Sequence, residues 1–328
     1  MYAELPRRVL VEKGAASKIA DVVKGLGPKF VVVVDQITKE IAGDAINQKV
    51  GGKLFVINNS TMEEVKRLET ETADCIISVG GGKVIDVGKL AAHNKKIPFI
   101  SVPTALSHDG VVSTNASITT NGKFGSHKAS TPYGLVVDLD IVKKAPYRLT
   151  AAGAADIISN YTALEDWKLS GEYMEYPGRL ALLAADLVSN NADGIKRLED
   201  RALENLSWAI IFSASSMTLA GCSSPASGAE HMFSHALDGL GSKCLHGEQV
   251  GLGAIIFAYL QGNDWSKIKD TLKKIGAPIT AKEMGLSQDI IIEALLKAKD
   301  VRDRHTILSQ KPLNKESALK ICKTTGIL

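Results

Sequence analysis

The chain has 328 residues, of which 45% are apolar and 23% charged, with a net charge of +3. Charges of both signs are interspersed, so no basic stripe of the kind that binds nucleic acid is present. No apolar run approaches the roughly 18 residues of a membrane helix, and the N-terminus does not resemble a signal peptide. The four cysteines are widely spaced, which predicts free thiols and a cytoplasmic location. They are Cys75, Cys222, Cys244 and Cys322.

The first half of the chain alternates apolar, β-branched runs with amphipathic stretches. Runs that are apolar on both faces and separated by helical patterns predict parallel strands buried between helices. We therefore predict a doubly wound, Rossmann-like α/β fold for this half. The predicted strands cover residues 30–34, 53–58, 75–79, 98–102 and 135–140.

The second half shows helical patterns and little strand signal. This change predicts an α/β domain over residues 1–148 and an all-α domain over residues 149–328. The main predicted helices cover residues 151–165, 179–189, 202–221, 229–240 and 248–261.

Three consecutive glycines, Gly80 to Gly82, separate a predicted buried strand from a predicted helix. Glycines let a backbone approach a ligand closely, and the helix start offers partial positive charge to a phosphate. The segment matches neither the G-x-G-x-x-G pattern nor a Walker A loop. It predicts a phosphate-binding turn, and a simple tight turn is the alternative.

The loop after the strand at 98–102 contains hydroxyl side chains at Thr104, Ser107 and Ser113. In an open α/β sheet, ligands bind beyond the carboxyl ends of the strands. These hydroxyls are therefore candidates for cofactor contacts, although Ser/Thr-rich segments are common in loops of any kind.

A group of histidines in the second half is the strongest chemical signal. His231 and His235 are four residues apart, which places them on one face of a helix, and His246 follows closely. Asp156 is flanked by small and apolar residues and is expected to be buried with a partner. Two imidazoles and a carboxylate predict an open site for Zn²⁺ or Fe²⁺. Capping or surface roles are the alternative, and Cys244 as a ligand would favour a structural zinc.

Taken together, these motifs resemble the superfamily of iron-containing alcohol dehydrogenases, glycerol dehydrogenases and dehydroquinate synthases. The resemblance spans the whole chain and implies a dinucleotide-binding domain, a helical domain and a divalent metal in the cleft between them. Segments 101–113 and 227–238 are most similar to the sn-glycerol-1-phosphate dehydrogenase family. The matching residues are Gly80 to Gly82, Asp86, Pro103, Thr104, Ser107, Asp109, Ser113, Gly153 to Asp156, His231, His235 and His246 to Glu248.

The resemblance implies roles for individual residues. Asp156, His231 and His246 would bind the metal, with zinc favoured over iron, and Asp109, His235 and Asp156 would contact the substrate. Lys83 stands where relatives often have a small polar residue or arginine. The residues implied to bind NAD(H) or NADP(H) are Gly80, Gly81, Gly82, Lys83, Val84, Ile85, Thr104, Ala105, Leu106, Ser107 and Ser113.

The implied reaction is reduction of dihydroxyacetone phosphate to sn-glycerol-1-phosphate for archaeal ether phospholipids, with Asp109 or His235 as proton donor or relay. Lys128 is our candidate for the substrate phosphate, and Asp35 for the cofactor ribose, with use of both cofactors expected. The resemblance also implies a homo-oligomer. Three alternatives stay open: a glycerol or other alcohol dehydrogenase acting on an unphosphorylated substrate, a dehydroquinate synthase, and a non-catalytic nucleotide-binding protein with a structural metal.

Overall fold

The structure is a computed structural model that describes residues 3–328. It divides into two compact units, the first ending at Tyr147 and the second comprising Arg148–Leu328. Strands are found in the first unit, while the described part of the second unit is helical. The predicted fold class, a Rossmann-like parallel sheet with a helical second half, is confirmed.

Six parallel strands form the sheet of the first unit in the order β1-β8-β5-β4-β2-β3, and two more form an antiparallel hairpin. β2 lies between β3 and β4, so the chain continues from β2 to one side of the sheet and from β4 to the other. The carboxyl ends of β2 and β4 therefore flank a topological switch point. The strands are β1 (Arg8–Glu12), β2 (Phe30–Val34), β3 (Lys53–Val56), β4 (Cys75–Gly80), β5 (Phe99–Pro103), β6 (Asn115–Thr120), β7 (Lys123–Lys128) and β8 (Gly134–Asp138).

All five predicted strands are present within one to two residues of their expected ends. β4 and β5 occupy the middle of the sheet and are buried along their whole length, which explains their apolar sequences. The prediction missed β1 and the β6–β7 hairpin. β1 lies at the sheet edge and is only half-buried, so its sequence carries charges at both ends.

Helices of the first unit connect the strands, and the longest one, which follows the glycine triplet, packs on β4 and β5. This unit contains α1 (Ile19–Val23), α2 (Gln36–Thr38), α3 (Asp44–Val50), α4 (Met62–Glu69), α5 (Gly82–Lys95) and α6 (Leu139–Val142).

Helices of the second unit pack both on the next helix in the chain and on helices farther along it. One of them, over residues 246–261, is buried almost throughout and packs against the helices before and after it. The predicted helix at 151–165 is in fact two helices, separated at Ser159. The helices are α7 (Tyr147–Ile158), α8 (Asn160–Leu169), α9 (Glu175–Asn190), α10 (Ala192–Lys196), α11 (Asp200–Ala220), α12 (Ala229–Gly239), α13 (His246–Gln261), α14 (Trp265–Ile275), α15 (Gln288–Ala298), α16 (Ile307–Gln310) and α17 (Lys315–Thr324).

Among residues 3–328, no helix combines the length and the apolar character that crossing a membrane would require.

Candidate metal and dinucleotide sites

Three side chains of the second unit converge on a point bordered by α7, α12 and α13. The Nε2 atoms of His231 and His246 each lie 3.7 Å from Oδ1 of Asp156, and one donor atom from each residue lies within 4.8 Å of the others. Ligands bound tetrahedrally to Zn²⁺ at 2.0–2.1 Å lie about 3.4 Å apart. The observed spacing therefore fits a single divalent cation.

Hydrogen bonding fixes which nitrogen of His231 faces this point. Its Nδ1 lies 2.9 Å from Oε1 of Glu230, a carboxylate that is fully buried and also accepts the N–H of Gly228. The Nδ1 atom is thus the protonated nitrogen that donates to Glu230, and Nε2 keeps its lone pair toward Asp156. Burial lowers the pKa of His231 well below its usual value, which keeps the ring neutral.

A longer chain of hydrogen bonds orients His246. The Gln249 amide donates to Asp238 at 3.0 Å, so its oxygen faces Ser234 and accepts the hydroxyl proton at 2.5 Å. The Ser234 oxygen therefore accepts from Nδ1 of His246 at 3.1 Å. This arrangement again leaves Nε2 with a lone pair directed toward Asp156.

The donor set matches the chemistry of a metal site. Two imidazoles present their Nε2 atoms next to a carboxylate that is only 3% exposed, and this is the pattern of an open, three-ligand catalytic site. The Cys244 thiol takes no part in the group, since it donates to the Met284 carbonyl at 3.3 Å.

The neighbours of His246 set the distance between two of the ligand-bearing helices. A Cβ at Gly247 would lie 1.9 Å from the Ala152 carbonyl oxygen, so only glycine lets the start of α13 press against α7. Glu248 accepts the Leu245 N–H at 2.9 Å and binds Arg148 of α7 at 2.7 Å. These two residues therefore fix the position of His246 relative to Asp156.

His235 lies one turn after His231 on α12, with its ring centroid 6.2 Å from that of His246. Its Nδ1 is 4.0 Å from Asp238. Burial, followed by the nearby charge of Arg302, lowers the pKa of His235 to about 4. The ring is consequently neutral near pH 7 and suited to passing a proton between two partners.

The glycine triplet lies at the carboxyl end of β4, and each glycine has a different reason to be there. A Cβ at Gly80 would lie 2.6 Å from Val84, and one at Gly82 would lie 2.5 Å from the His108 ring. A Cβ at Gly81 would meet nothing within 4 Å. Packing therefore explains Gly80 and Gly82, whereas the open space beside Gly81 leaves room for a ligand.

The start of α5 offers N–H groups to such a ligand. The first intrahelical bonds run from Val84 and Ile85 to the Gly81 carbonyl, so the N–H groups of Gly82 and Lys83 precede them. The side chains of Val84 and Ile85 are buried and that of Lys83 is exposed. The side chains of Val84 and Ile85 are thus not available to a ligand, and the N–H groups of Gly82 and Lys83 are the ones that the helix start offers.

The loop after β5 starts beside the glycine turn. The Thr104 N–H donates to the Gly80 carbonyl at 3.1 Å, and Thr104, Ala105, Leu106 and Ser113 are buried, while Ser107 is half-buried. The structure therefore brings the start of this loop next to the glycine turn, at the carboxyl ends of β4 and β5.

A fully buried lysine holds this loop in place. The Lys89 ammonium donates to the Gly110 and Asn115 carbonyls at 2.6 Å each and pairs with Asp86 at 3.2 Å. Asp86 also accepts the Ser117 N–H at 3.1 Å. The interaction ties α5 to the loop that carries Asp109 and to the β6–β7 hairpin.

The other predicted residues of the first unit occupy distinct places. Asp35 follows β2, and its carboxylate accepts the Thr38 N–H at 2.7 Å, which caps α2. Asp109 begins a short helical turn in the loop after β5 and is half-buried. Lys128 ends β7 and is exposed.

The sequence reasoning missed the residues that support the ligands, chiefly Glu230, Ser234 and Lys89. Glu230 immediately precedes a predicted metal ligand, and a carboxylate at that position is a signal for a histidine partner. Ser234 has no comparable signal. Arg302 and Arg304, two residues apart near the end of the chain, were also missed.

Comparison with known proteins gives matches over the whole length of the chain. A family model described as iron-containing alcohol dehydrogenase matches residues 10–146. A glycerol-1-phosphate dehydrogenase [NAD(P)+] from Pyrococcus horikoshii is 45% identical, with 99% of both chains covered. Proteins of the same name from Thermococcus sibiricus and Methanosarcina mazei are 44% and 43% identical, covering 99% and 100% of this chain and 98% and 97% of theirs.

Solved structures with the same fold are more distant in sequence. A probable glycerol dehydrogenase from Sinorhizobium meliloti superposes with a TM-score of 0.83 at 20% identity, covering 100% of this chain and 99% of that one. Glycerol dehydrogenase from Schizosaccharomyces pombe gives 0.80 at 20% identity, covering 99% and 90%. These likenesses concern the fold.

Proposed function

The chain belongs to the glycerol-1-phosphate dehydrogenase [NAD(P)+] family, and from this we propose that it reduces dihydroxyacetone phosphate to sn-glycerol-1-phosphate with NADH or NADPH. The observation that carries the proposal is identity of 41–45% with proteins of that name over 99–100% of the chain. The resemblance described above implies that members of this family make the glycerol phosphate of archaeal ether lipids. We propose the same role for this protein.

We propose that Asp156, His231 and His246 hold the metal, with zinc favoured over iron. The bound cation supplies Lewis acidity, which polarises a ketone oxygen and stabilises negative charge on it. Glu230 and Ser234 hold the two imidazoles with Nε2 directed at the cation. Gly247 and Glu248 keep α13 against α7, so the ligand spacing is set before the metal binds.

The cofactor is proposed to bind at the carboxyl edge of the sheet. Its pyrophosphate would accept N–H groups at the start of α5, with Gly81 allowing close approach. The contacts come from the Gly80–Ile85 turn and from the loop that includes Thr104, Ala105, Leu106, Ser107 and Ser113. We propose that Asp35 binds the ribose. The support is that β2 and β4 are neighbours whose register ends with Val33 opposite Ser78, two residues before Asp35 and Gly80. We expect use of both NAD(H) and NADP(H).

Asp109 and His235 are proposed to contact the substrate and to manage the proton that the product alkoxide needs. The depressed pKa of His235, about 4, makes the ring a neutral relay at pH 7 that accepts a proton on one nitrogen as it donates from the other. Asp156 contacts the substrate from the side of the ligand set. Lys128 remains our candidate from sequence for the substrate phosphate.

The deciding experiment is oxidation of NADPH by zinc-loaded protein with dihydroxyacetone phosphate, compared with unphosphorylated dihydroxyacetone. We expect strong preference for the phosphate ester and a product that sn-glycerol-3-phosphate dehydrogenase does not oxidise. Turnover of the unphosphorylated ketone alone would overturn the proposal in favour of a glycerol dehydrogenase.

Chelation separates the enzyme from a non-catalytic protein with a structural metal. An enzyme with an open three-ligand site loses turnover when the metal is removed and keeps its fold. Unfolding upon chelation, with no turnover at any metal loading, would favour the structural alternative. Replacement of zinc by Fe²⁺ in the chelated protein, followed by activity assay, tests the preferred metal.

Self-association and a cytoplasmic location complete the proposal. The first follows from the family resemblance and is tested by light scattering of the purified protein. The second follows from the spacing of the cysteines, and fractionation of cells expressing the chain tests it.

A further inference from the structure

Two arginines lie side by side next to the start of α12, between α15 and α16. Arg304 donates to the Ser227 carbonyl and to the Ser223 hydroxyl, the latter at 2.7 Å. Arg302 makes one long contact, 3.5 Å to the Ser227 hydroxyl. Both side chains are half-buried. Arg304 is therefore fixed to the protein, while Arg302 keeps most of its N–H donors for another partner.

Neither arginine is neutralised by a direct partner. Among residues 3–328, no carboxylate lies within salt-bridge distance of Arg302 or Arg304. From farther away, the charge of Glu230 acts on both arginines, and those of Asp166 and Glu172 act on Arg304. Burial lowers the pKa of both guanidinium groups, and the charge of Arg304 lowers the pKa of Arg302 further. Two adjacent, partly desolvated cations favour the binding of an anion.

The pair lies near the metal ligands. The charge of Arg302 acts on both His231 and His235, and that of Arg304 acts on His231. Ser227, which Arg302 contacts at 3.5 Å, precedes His231 by four residues, so Arg302 lies near the start of the helix that carries His231 and His235. A small anionic substrate bound at the cation would therefore extend toward Arg302.

We infer that Arg302 binds the phosphate group of the substrate, and that Arg304, held by Ser223 and Ser227, keeps Arg302 in place and adds to the positive potential. The inference rests on the proposed function, because it assigns the phosphate end of dihydroxyacetone phosphate. A guanidinium binds two phosphate oxygens at once in a fixed plane, which a lysine does not. Arg302 therefore replaces Lys128 as the preferred phosphate-binding residue.

The test compares Arg302→Ala, Arg302→Lys and Lys128→Ala with the unchanged protein, all loaded with zinc. Arg201→Ala is the matched control, since Arg201 is exposed and pairs only with Glu204. The quantity measured is the ratio of kcat/KM for dihydroxyacetone phosphate to kcat/KM for dihydroxyacetone. Inhibition by inorganic phosphate and binding of phosphate by calorimetry give readouts independent of turnover.

We expect Arg302→Ala to lower the ratio at least about 30-fold and to weaken inorganic phosphate binding, because a desolvated charge pair is lost. Arg302→Lys should recover part of the ratio, and Arg201→Ala should leave it unchanged, while Lys128→Ala tests the other phosphate candidate. A normal ratio in Arg302→Ala, or a loss confined to Lys128→Ala, would overturn the inference. If the unchanged protein itself does not reduce dihydroxyacetone phosphate, the proposed function has failed instead.

Discussion

Glu230 directs His231 toward the proposed metal site through one hydrogen bond from a fully buried position. In Glu230→Gln, an amide replaces the carboxylate, so the bond from Nδ1 loses its charge. The amide also has one acceptor oxygen for three donors, which are Nδ1 of His231, the Gly228 N–H and the Thr162 hydroxyl. We expect the zinc dissociation constant to rise by about 10- to 100-fold. Competition with a fluorescent chelator measures it.

The control for this change is Glu175→Gln, because Glu175 is exposed and pairs only with Arg179. Its zinc affinity should equal that of the unchanged protein. Equal zinc affinity in Glu230→Gln would mean that helix packing alone orients His231.

Gly81 and Gly82 are adjacent but should respond differently to the same substitution. Gly81→Ala adds a Cβ that meets no protein atom within 4 Å, at a φ of −81° that alanine adopts freely. The unfolding free energy should therefore stay within about 0.5 kcal/mol of its original value. The NADPH dissociation constant should nevertheless rise about tenfold, because the pyrophosphate loses a close backbone contact.

Gly82→Ala should instead destabilise the protein by about 1–3 kcal/mol, since its Cβ would overlap the His108 ring at 2.5 Å. Fluorescence titration with NADPH and urea unfolding of both variants give the two quantities. Unchanged NADPH affinity in Gly81→Ala would move the pyrophosphate away from this turn.

At the scale of elements, Lys89 joins α5 to the loop after β5 and to the β6–β7 hairpin. Lys89→Met keeps the side-chain length but leaves Asp86 and two carbonyls without their cation. We expect the unfolding free energy to fall by about 3–5 kcal/mol, the usual cost of breaking a buried ion pair. Urea unfolding followed by circular dichroism measures it.

Lys66→Met serves for comparison, since Lys66 lies exposed on the neighbouring helix α4. Its effect should stay within about 0.5 kcal/mol. Similar losses in both variants would show that the buried ammonium contributes no more than a surface charge.

Elements buried on both faces were predictable from sequence, and elements on the periphery were not. β4 and β5 are continuous apolar runs because helices cover both sides of the sheet. β6 and β7 face partly outward and lack that pattern, yet their turn at Asn121-Gly122, with φ of 52° and 74°, is the strongest short hairpin signal and was available in the sequence.

The candidate site also contains residues that could be predicted from the sequence and residues that could not. Residues with distinctive chemistry, such as His231 and His246, could be selected by their type and spacing. The choice of Nε2 as the metal-facing atom could not, because it depends on Ser234 and Gln249 brought together by the contact of α12 with α13. Arg302 follows His231 by 71 positions in the chain, so the two residues come near each other only in the folded structure.

For the molecule as a whole, metal binding should stabilise one unit selectively. All three ligands belong to the unit that begins at Arg148, so zinc added to chelated protein should slow hydrogen exchange in α7, α12 and α13. At a free zinc concentration of 100 times the dissociation constant, the stabilisation is about 2.7 kcal/mol. Exchange measured by mass spectrometry, peptide by peptide, checks this.

The strands β2, β4 and β5 should show no change in exchange upon zinc addition, and His231→Ala should abolish the effect everywhere. Equal protection of the sheet and of the helices would contradict local stabilisation. It would indicate that the metal controls the folding of the entire chain.

Asp156, His231 and His246 come from three helices, and the first and last ligands are 90 positions apart in the chain. During synthesis, the segment with Asp156 leaves the ribosome before the segments with His231 and His246. A nascent peptide therefore offers all three proposed ligands only after His246 has emerged, and they can hold one ion only once α7, α12 and α13 have packed together. The metal that the protein carries then depends on the geometry of that site and on the metals available to the finished fold.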